Sequence, residues 1–183
     1  MIQELNARQS VMAENFLKVF SKYGLDNTST KKLSEECGIN EALFYRYFEN
    51  KDDIVGKCVI KKRVEILEHI HELLNENSKL GAHAVCESLV DYAETERDAE
   101  RFILQVMASH KYEQIALEIN AHMEKNLREQ GTLLAKKHGV TEEVGYLMVS
   151  IMNSVMMAYF INGDKKLLYD QLEILLKEDF YKA

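Results

Sequence analysis

Proline is absent from this 183-residue sequence, and only eight residues are glycine. Both residues interrupt helices, because proline lacks a backbone N–H and glycine loses more conformational entropy than other residues. We therefore expect helices to run long. Cysteine is also scarce: Cys37, Cys58 and Cys86 are odd in number and widely spaced. This spacing argues against a disulfide framework or a cysteine metal site and fits buried thiols in a reducing cytoplasm.

Long apolar runs are missing as well. The first 16 residues have no continuous apolar stretch, so we expect no signal peptide. No uninterrupted apolar run approaches the length that spans a bilayer, and the sequence predicts a soluble, cytoplasmic protein with no membrane partner.

Patterns typical of catalytic and metal sites do not occur. There is no glycine-rich phosphate loop, and no nucleophile–base pair or carboxylate pair has suggestive spacing. His69 and His71 are two residues apart on one expected helix, so they point to different faces and cannot chelate one ion. We expect no enzyme activity, no metal and no cofactor.

The charge is negative, −7 overall. Residues 1–60 contain eight Lys/Arg and nine Asp/Glu, whereas residues 61–183 contain 15 and 21. Non-specific DNA affinity comes from neutralised phosphates. The N-terminal part should therefore bind random DNA weakly, although a specific local site remains compatible with this balance.

The apolar residues recur at helical spacing, and no alternating strand pattern is present, so we predict an all-α fold. Ala13, Phe16, Leu17 and Phe20, for example, share one helix face. Glycines and capping residues divide the chain into about nine helices, with a break at Arg97 and Asp98. The predicted ranges are 9–23, about 30–37, 41–47, 51–76, 82–96, 99–109, 113–138, 142–162 and 165–181.

The second and third helices, with Gly38 in the tight turn between them, have the outline of a helix-turn-helix, whose second helix enters the DNA major groove. The sequence from Phe16 to Ile54 resembles the N-terminal domain of the TetR family of bacterial transcriptional regulators. The matching positions keep the family spacing without a gap: Phe20, Gly24, Thr28, Ser29, Leu33, Ser34, Gly38, Ile39, Tyr45, Phe48 and Lys51.

This resemblance implies a helix-turn-helix domain over residues 1–50, joined by a long helix to a helical effector-binding and dimerisation domain over residues 51–183. It also implies a ligand-responsive repressor that binds a palindromic double-stranded DNA operator as a homodimer. A small-molecule effector of unknown identity would release the operator.

Residues at the starts of the second and third helices are expected to contact DNA. Thr28, Ser29 and Thr30 open the second helix, where N–H groups and hydroxyls suit a phosphate; ordinary N-capping is the alternative. The N-terminal edge of the third helix is the part that reaches base edges, and capping is again the alternative for its first two residues. This edge consists of Asn40, Glu41, Ala42 and Leu43.

The resemblance adds phosphate contacts at Tyr45, Arg46, Tyr47 and Lys51. The family often has a basic or small hydroxylated residue near Glu41 and Leu43, so this chain departs from the family pattern there.

Residues 144–160 are apolar nearly all round the expected helix, which predicts burial on more than one side. With the last helix, this segment would form a four-helix interface with a second subunit. Methionines and aromatic residues suit an adaptable effector pocket, although core packing is the alternative for each methionine. The predicted pocket residues are Tyr92, Phe102, Met107, His110, Tyr112, Met148 and Met152.

A second hypothesis accounts for Glu41 and for the slightly acidic N-terminal helix-turn-helix domain, which we call the head. It is a dimeric helical ligand-binding or adaptor protein without specific DNA binding. Selection over random DNA distinguishes it from a regulator, because only the regulator would enrich a sequence.

Overall fold

The computed structural model describes residues 5–76 and 82–177, and within these ranges every regular element is helical. The all-α prediction is confirmed. Eight α-helices and one 3-10 helix, His110–Tyr112, follow one another along the described chain. The α-helices are α1 (Ala7–Tyr23), α2 (Thr30–Glu36), α3 (Glu41–Tyr47), α4 (Lys51–Glu76), α5 (Ala82–Met107), α6 (Glu113–His138), α7 (Glu142–Asn162) and α8 (Lys165–Leu176).

Helix α1 begins two residues before the predicted Gln9 because Asn6 caps it. The Asn6 side chain accepts hydrogen bonds from the backbone N–H groups of Arg8 and Gln9, at 3.1 and 2.9 Å. The Gln9 side chain accepts in return from the Asn6 N–H, at 3.1 Å. This reciprocal capping box satisfies donors that a helix start otherwise leaves unpaired.

The predicted break at Arg97 and Asp98 is wrong, since α5 runs through both residues. Its buried face continues past them: Ala93 and Glu100 are both buried and lie seven residues, about two turns, apart. Charged residues alone do not end a helix when the packed face continues. Glu100 keeps its buried position in an ion pair with Arg63 of α4.

The last helix ends earlier than predicted. Helix α8 stops at Leu176, and Lys177 has extended backbone angles. The part of the predicted helix that covers residues 178–181 lies outside the described residues.

Packing divides the chain into two compact units. Unit 1 contains Met1–Glu65 and Asp98–Ile119; unit 2 contains Ile66–Arg97 and Asn120–Ala183. These units are defined by packing alone, and the division into functional domains at residue 50 stays a prediction.

Aromatic side chains form the core of unit 1. The Phe16 ring lies 5.8 Å from that of Phe44 and 5.7 Å from that of Phe48, which joins α1 to α3 and the segment after it. Phe20 stacks on Phe102, with centroids 4.9 Å apart. All five rings are buried, so α1, α3 and the C-terminal part of α5 contribute to the core of unit 1.

In unit 2, α6 and α7 approach so closely that their glycines are required. A Cβ placed on Gly145 would lie 2.1 Å from the carbonyl oxygen of Gly131 and 2.9 Å from the Ala135 Cβ. Beside this crossing, Leu134, Met148 and Val149 form a buried cluster. The crossing therefore holds α7 at a fixed distance from α6.

Helix α7 is the one helix among the described residues that is long and apolar enough to cross a membrane by length and composition alone. Within its most apolar window, 39% of the residues are buried in the protein. A core helix of a soluble protein has the same composition, so this property is weak evidence for a membrane segment.

Candidate nucleic-acid interface

The helix-turn-helix consists of α2 and α3 with a tight turn at Gly38. Gly38 has φ +63°, a left-handed conformation that glycine adopts without the steric cost of a Cβ. The Ile39 N–H donates to the Ser34 carbonyl at 3.0 Å and closes the end of α2. Leu33 of α2 and Phe44 of α3 are fully buried and fix the two helices on α1.

The three residues at the start of α2 have different roles. Thr28 is fully buried, and its hydroxyl donates to the Gly24 carbonyl at 2.7 Å. It therefore supports the loop, and its hydroxyl does not face a phosphate. Ser29 is exposed and caps α2 by accepting from the Lys32 N–H at 3.1 Å. The Thr30 hydroxyl donates to the Glu41 carboxylate at 3.3 Å, which links α2 to α3.

The N-terminal edge of α3 is open to solvent. Asn40 caps the helix by accepting from the Ala42 N–H at 2.8 Å. Asn40, Glu41 and Ala42 are exposed, whereas Leu43 is half-buried. Capping by Asn40 is thus realised, and it leaves the side-chain amide N–H₂ as a donor for a base edge.

Further along α3, Tyr45 and Arg46 project outward. Tyr45 is 55% exposed, which is unusual for a large aromatic side chain, and its ring contacts the buried Phe44 edge-on at 5.0 Å. Arg46 is exposed, and Tyr47 is half-buried. The helix therefore presents a phenol and a guanidinium on one rigid support.

The Lys51 side chain is bound to the loop that follows α1. Its ammonium donates to the Leu25 carbonyl at 2.6 Å and is half-buried. Burial lowers the pKa of Lys51, and the Lys111 charge lowers it further, while Asp26 and Asp52 oppose both effects. An ammonium has three N–H donors, so this hydrogen bond leaves two of them for further acceptors, and a phosphate contact at Lys51 stays a prediction.

A polar cluster around Asp52 joins the start of α4 to the 3-10 helix, and sequence reasoning missed it. The Asp52 carboxylate accepts from the Tyr112 hydroxyl at 2.7 Å and from the Lys111 ammonium at 2.6 Å. Burial alone would raise the pKa of Asp52, but these two hydrogen bonds together with the charges of Lys111 and Lys51 outweigh it, and the pKa lies below its usual value. Nearby, the Leu25 N–H donates to the Gln105 side chain at 3.1 Å.

The predicted pocket residues are divided between the two units. Phe102, Met107, His110 and Tyr112 belong to unit 1, while Tyr92, Met148 and Met152 belong to unit 2.

In unit 1, Phe102 and Tyr112 are buried in packing contacts, Met107 is half-buried, and His110 is exposed. In unit 2, Met148 and Met152 are buried, and the half-buried Tyr92 has its ring 4.4 Å from that of His69.

A shallow cavity of about 330 Å³ opens elsewhere, on the outside of α1, and none of the predicted pocket residues lines it. Its lining residues are Asn15, Lys18, Val19, Lys22, Glu36 and Cys37. Among residues 5–76 and 82–177, no three His, Cys, Asp or Glu side chains are arranged to hold a metal ion.

The last two helices of unit 2 both expose large apolar side chains. Leu147 and Ile161 of α7 are 58% and 71% exposed, and Leu167 and Ile174 of α8 are also exposed. The opposite face of α7 is buried, as the residues around the Gly145 crossing are. Helix α7 therefore has two apolar sides. One is buried within unit 2, and the other is exposed.

Comparison with known proteins identifies the class. The family model described as bacterial regulatory proteins, tetR family, matches residues 17–58, which include all of α2 and α3. Residues 17–58 therefore carry the helix-turn-helix DNA-binding domain of the tetR family of bacterial regulatory proteins.

The nucleoid occlusion factor SlmA of Glaesserella parasuis is 23% identical over 84 residues, which are 45% of this chain and 42% of SlmA. The chain thus matches about two fifths of that relative's length.

Solved structures share the whole fold. A TetR-family transcriptional regulator of Mesorhizobium loti has a TM-score of 0.71 at 16% identity, covering 96% of this chain and 97% of that one. The regulator FadR of Bacillus subtilis, in complex with stearoyl-CoA, has a TM-score of 0.65 at 16% identity, covering 94% and 99%. At this identity the similarity establishes the fold alone.

Proposed function

We propose that the protein is a ligand-responsive transcriptional repressor that binds a palindromic operator as a homodimer and leaves it when a small molecule binds. The observation that supports this most directly is the outward face of α3, where Tyr45 and Arg46 are exposed on a helix that the buried Phe44 anchors in the core. Specific DNA recognition requires such a preorganised helix edge. An adaptor that keeps the N-terminal domain as a scaffold has no need for an exposed tyrosine beside an exposed guanidinium.

The proposed contacts fall into two groups. Ser29, Thr30, Tyr45, Arg46, Tyr47 and Lys51 would contact the phosphate backbone, while Asn40, Glu41, Ala42 and Leu43 would face the bases. Phosphate contacts set affinity and position, and base contacts set sequence preference. Thr28 is left out because its buried hydroxyl already donates to Gly24.

The exposed apolar face of α7 and α8 supports the homodimer. A second copy would cover Leu147, Ile161, Leu167 and Ile174 and form the four-helix interface expected from the sequence. Two heads would then read half-sites about 34–36 Å apart, one helical turn of DNA. Two-fold pairing matters here because a head with a charge of −1 has little general attraction for DNA.

Substitution of Leu147 by Glu tests the dimer. A charge in the centre of an apolar contact should dissociate it, because burying an unpaired carboxylate costs several kcal/mol. Sedimentation would then give a monomer, with wild-type helix content by circular dichroism. Glu142→Gln, at an exposed position on the same helix, is the control. A Leu147→Glu protein that remains dimeric would contradict this interface.

The effector is proposed only by class. FadR binds stearoyl-CoA, and the methionine-rich interior of unit 2 is compatible with an apolar or cationic molecule. The division of the predicted pocket residues between two units gives no support to a single pocket that contains all seven. The fold and family support a cytoplasmic location, where DNA is present.

Selection of intact protein over random double-stranded DNA tests the function. We expect one palindromic site to be enriched, and its affinity to fall in Arg46→Ala and Lys51→Ala. Lys125→Ala, which removes an exposed lysine of unit 2, is the matched control and should bind normally. If no site is enriched while the protein is a dimer, the adaptor hypothesis is correct and the repressor hypothesis is wrong.

A further inference from the structure

The first turn of α1 is tied to the end of the recognition helix. The Gln9 side chain, whose oxygen belongs to the capping box with Asn6, donates through its Nε2 to the Tyr47 carbonyl at 2.9 Å. One turn of α1 and the last residue of α3 are therefore held together although 38 residues separate them in sequence.

This hydrogen bond places the guanidinium of Arg8 beside α3, which already carries that of Arg46. Arg8, next to Gln9, points its Nη1 at the Tyr47 hydroxyl, at 3.4 Å. The guanidinium carbon of Arg46 lies 5.9 Å from the centre of the same Tyr47 ring. One tyrosine thus has two arginines beside it, one from α1 and one from α3.

Both arginines are exposed, and neither forms an ion pair with a carboxylate of the described residues. By contrast, Lys57 and Lys61 of α4, also in unit 1, each have a carboxylate partner. Two positive charges without a carboxylate partner repel each other. Binding of an anion to both guanidinium groups would therefore stabilise their arrangement around one phenol. The Tyr47 hydroxyl accepts from Arg8 and keeps its own hydrogen for that anion.

We propose that Arg8, Tyr47 and Arg46 form one phosphate-binding cluster, which grips the DNA backbone beside the C-terminal end of the recognition helix. This inference rests on the proposed operator binding and adds Arg8 to the contacts of the head. A guanidinium presents a fork of N–H donors that fits two phosphate oxygens, and the phenol adds a third hydrogen bond. The cluster also explains how an acidic head binds DNA, because it concentrates two cations on one phosphate.

Arg8 contributes little to the stability of the fold. Its contact with Tyr47 is long and exposed, and such contacts add little stability. The Gln9 bond at 2.9 Å is sufficient to hold α3 in place. Loss of the Arg8 charge should therefore change DNA binding while leaving the thermal unfolding midpoint unchanged.

The test measures the dissociation constant of the selected operator between about 50 and 200 mM salt. Each neutralised phosphate contributes a slope of about 0.9 in log K against log salt, and a dimer has two heads. Arg8→Gln should therefore reduce the slope by about 1.8. It should weaken binding to the operator and to its single-base variants by the same factor. Arg8→Lys should keep the slope, and Tyr47→Phe should weaken binding with little change in slope.

Arg128→Gln is the matched control, because Arg128 is an exposed arginine over the Tyr146 ring in unit 2. It should bind with wild-type affinity and slope. An unchanged slope in Arg8→Gln, alongside lost binding in Arg46→Ala, would overturn the cluster and leave the proposed function intact. If the wild-type protein enriches no operator, the proposed function fails and the cluster fails with it.

Discussion

Replacement of Gly145 by alanine sets two effects of opposite sign against each other. Alanine is favoured over glycine inside a helix by about 1 kcal/mol, so helix propensity alone predicts a more stable protein. The added Cβ, however, would lie 2.1 Å from the Gly131 carbonyl oxygen, which is backbone and cannot rotate away. Overpacking typically costs about 1–3 kcal/mol, and a backbone clash belongs at the upper end. We therefore expect Gly145→Ala to lower the free energy of unfolding by about 2 kcal/mol.

Gly56→Ala is the matched control for this prediction. Gly56 is also inside a helix, but its added Cβ would meet only the Cδ1 atom at the tip of Ile115, at 3.0 Å, and that side chain can shift. This substitution should be neutral or stabilise by up to about 1 kcal/mol. The measurement is urea unfolding followed by circular dichroism, at one protein concentration because dimerisation adds to apparent stability. A Gly145→Ala protein as stable as the wild type would refute the close contact of α6 and α7.

Two further substitutions test the cluster at Asp52 and the charge on α3. Tyr112→Phe should lower stability by about 1 kcal/mol at pH 7, since Asp52 is partly exposed and keeps Lys111. Because the pKa of Asp52 is lowered in the folded state, its contribution is present above about pH 4 and is lost as the pH falls below that value. The difference between the two proteins in urea unfolding should therefore shrink by pH 3, and an equal difference at pH 7 and pH 3 would contradict this assignment. Glu41→Gln removes a negative charge from the exposed edge of α3 and should tighten binding to random DNA several-fold, about 1 kcal/mol, in a low-salt mobility-shift assay. Unchanged or weaker binding would mean that Glu41 does not lie at the DNA surface.

Features that depend on a few neighbouring residues were predictable from the sequence. The bounds of α3, the turn at Gly38 and the ends of α6 and α7 agree with prediction because caps, glycines and apolar periodicity act within one or two turns. The helix-turn-helix was predictable for the same reason, since its spacing is a local property. The family model confirms it over residues 17–58.

Features that depend on which surfaces meet were decided only by the tertiary structure. The charged pair Arg97 and Asp98 resembles a loop locally, but the buried face of α5 continues through it. Grouping Phe102 with Met148 in one pocket requires a proximity that periodicity does not define; packing places the two residues in different units, and the pocket stays a prediction.

The contact of Arg8 with Tyr47 spans 39 residues, and the contact of Tyr112 with Asp52 spans 60. Local sequence therefore determined the helices and the helix-turn-helix of the head. The side chains that surround that head were determined by packing, because no short-range pattern encodes which distant residues the folded chain brings together.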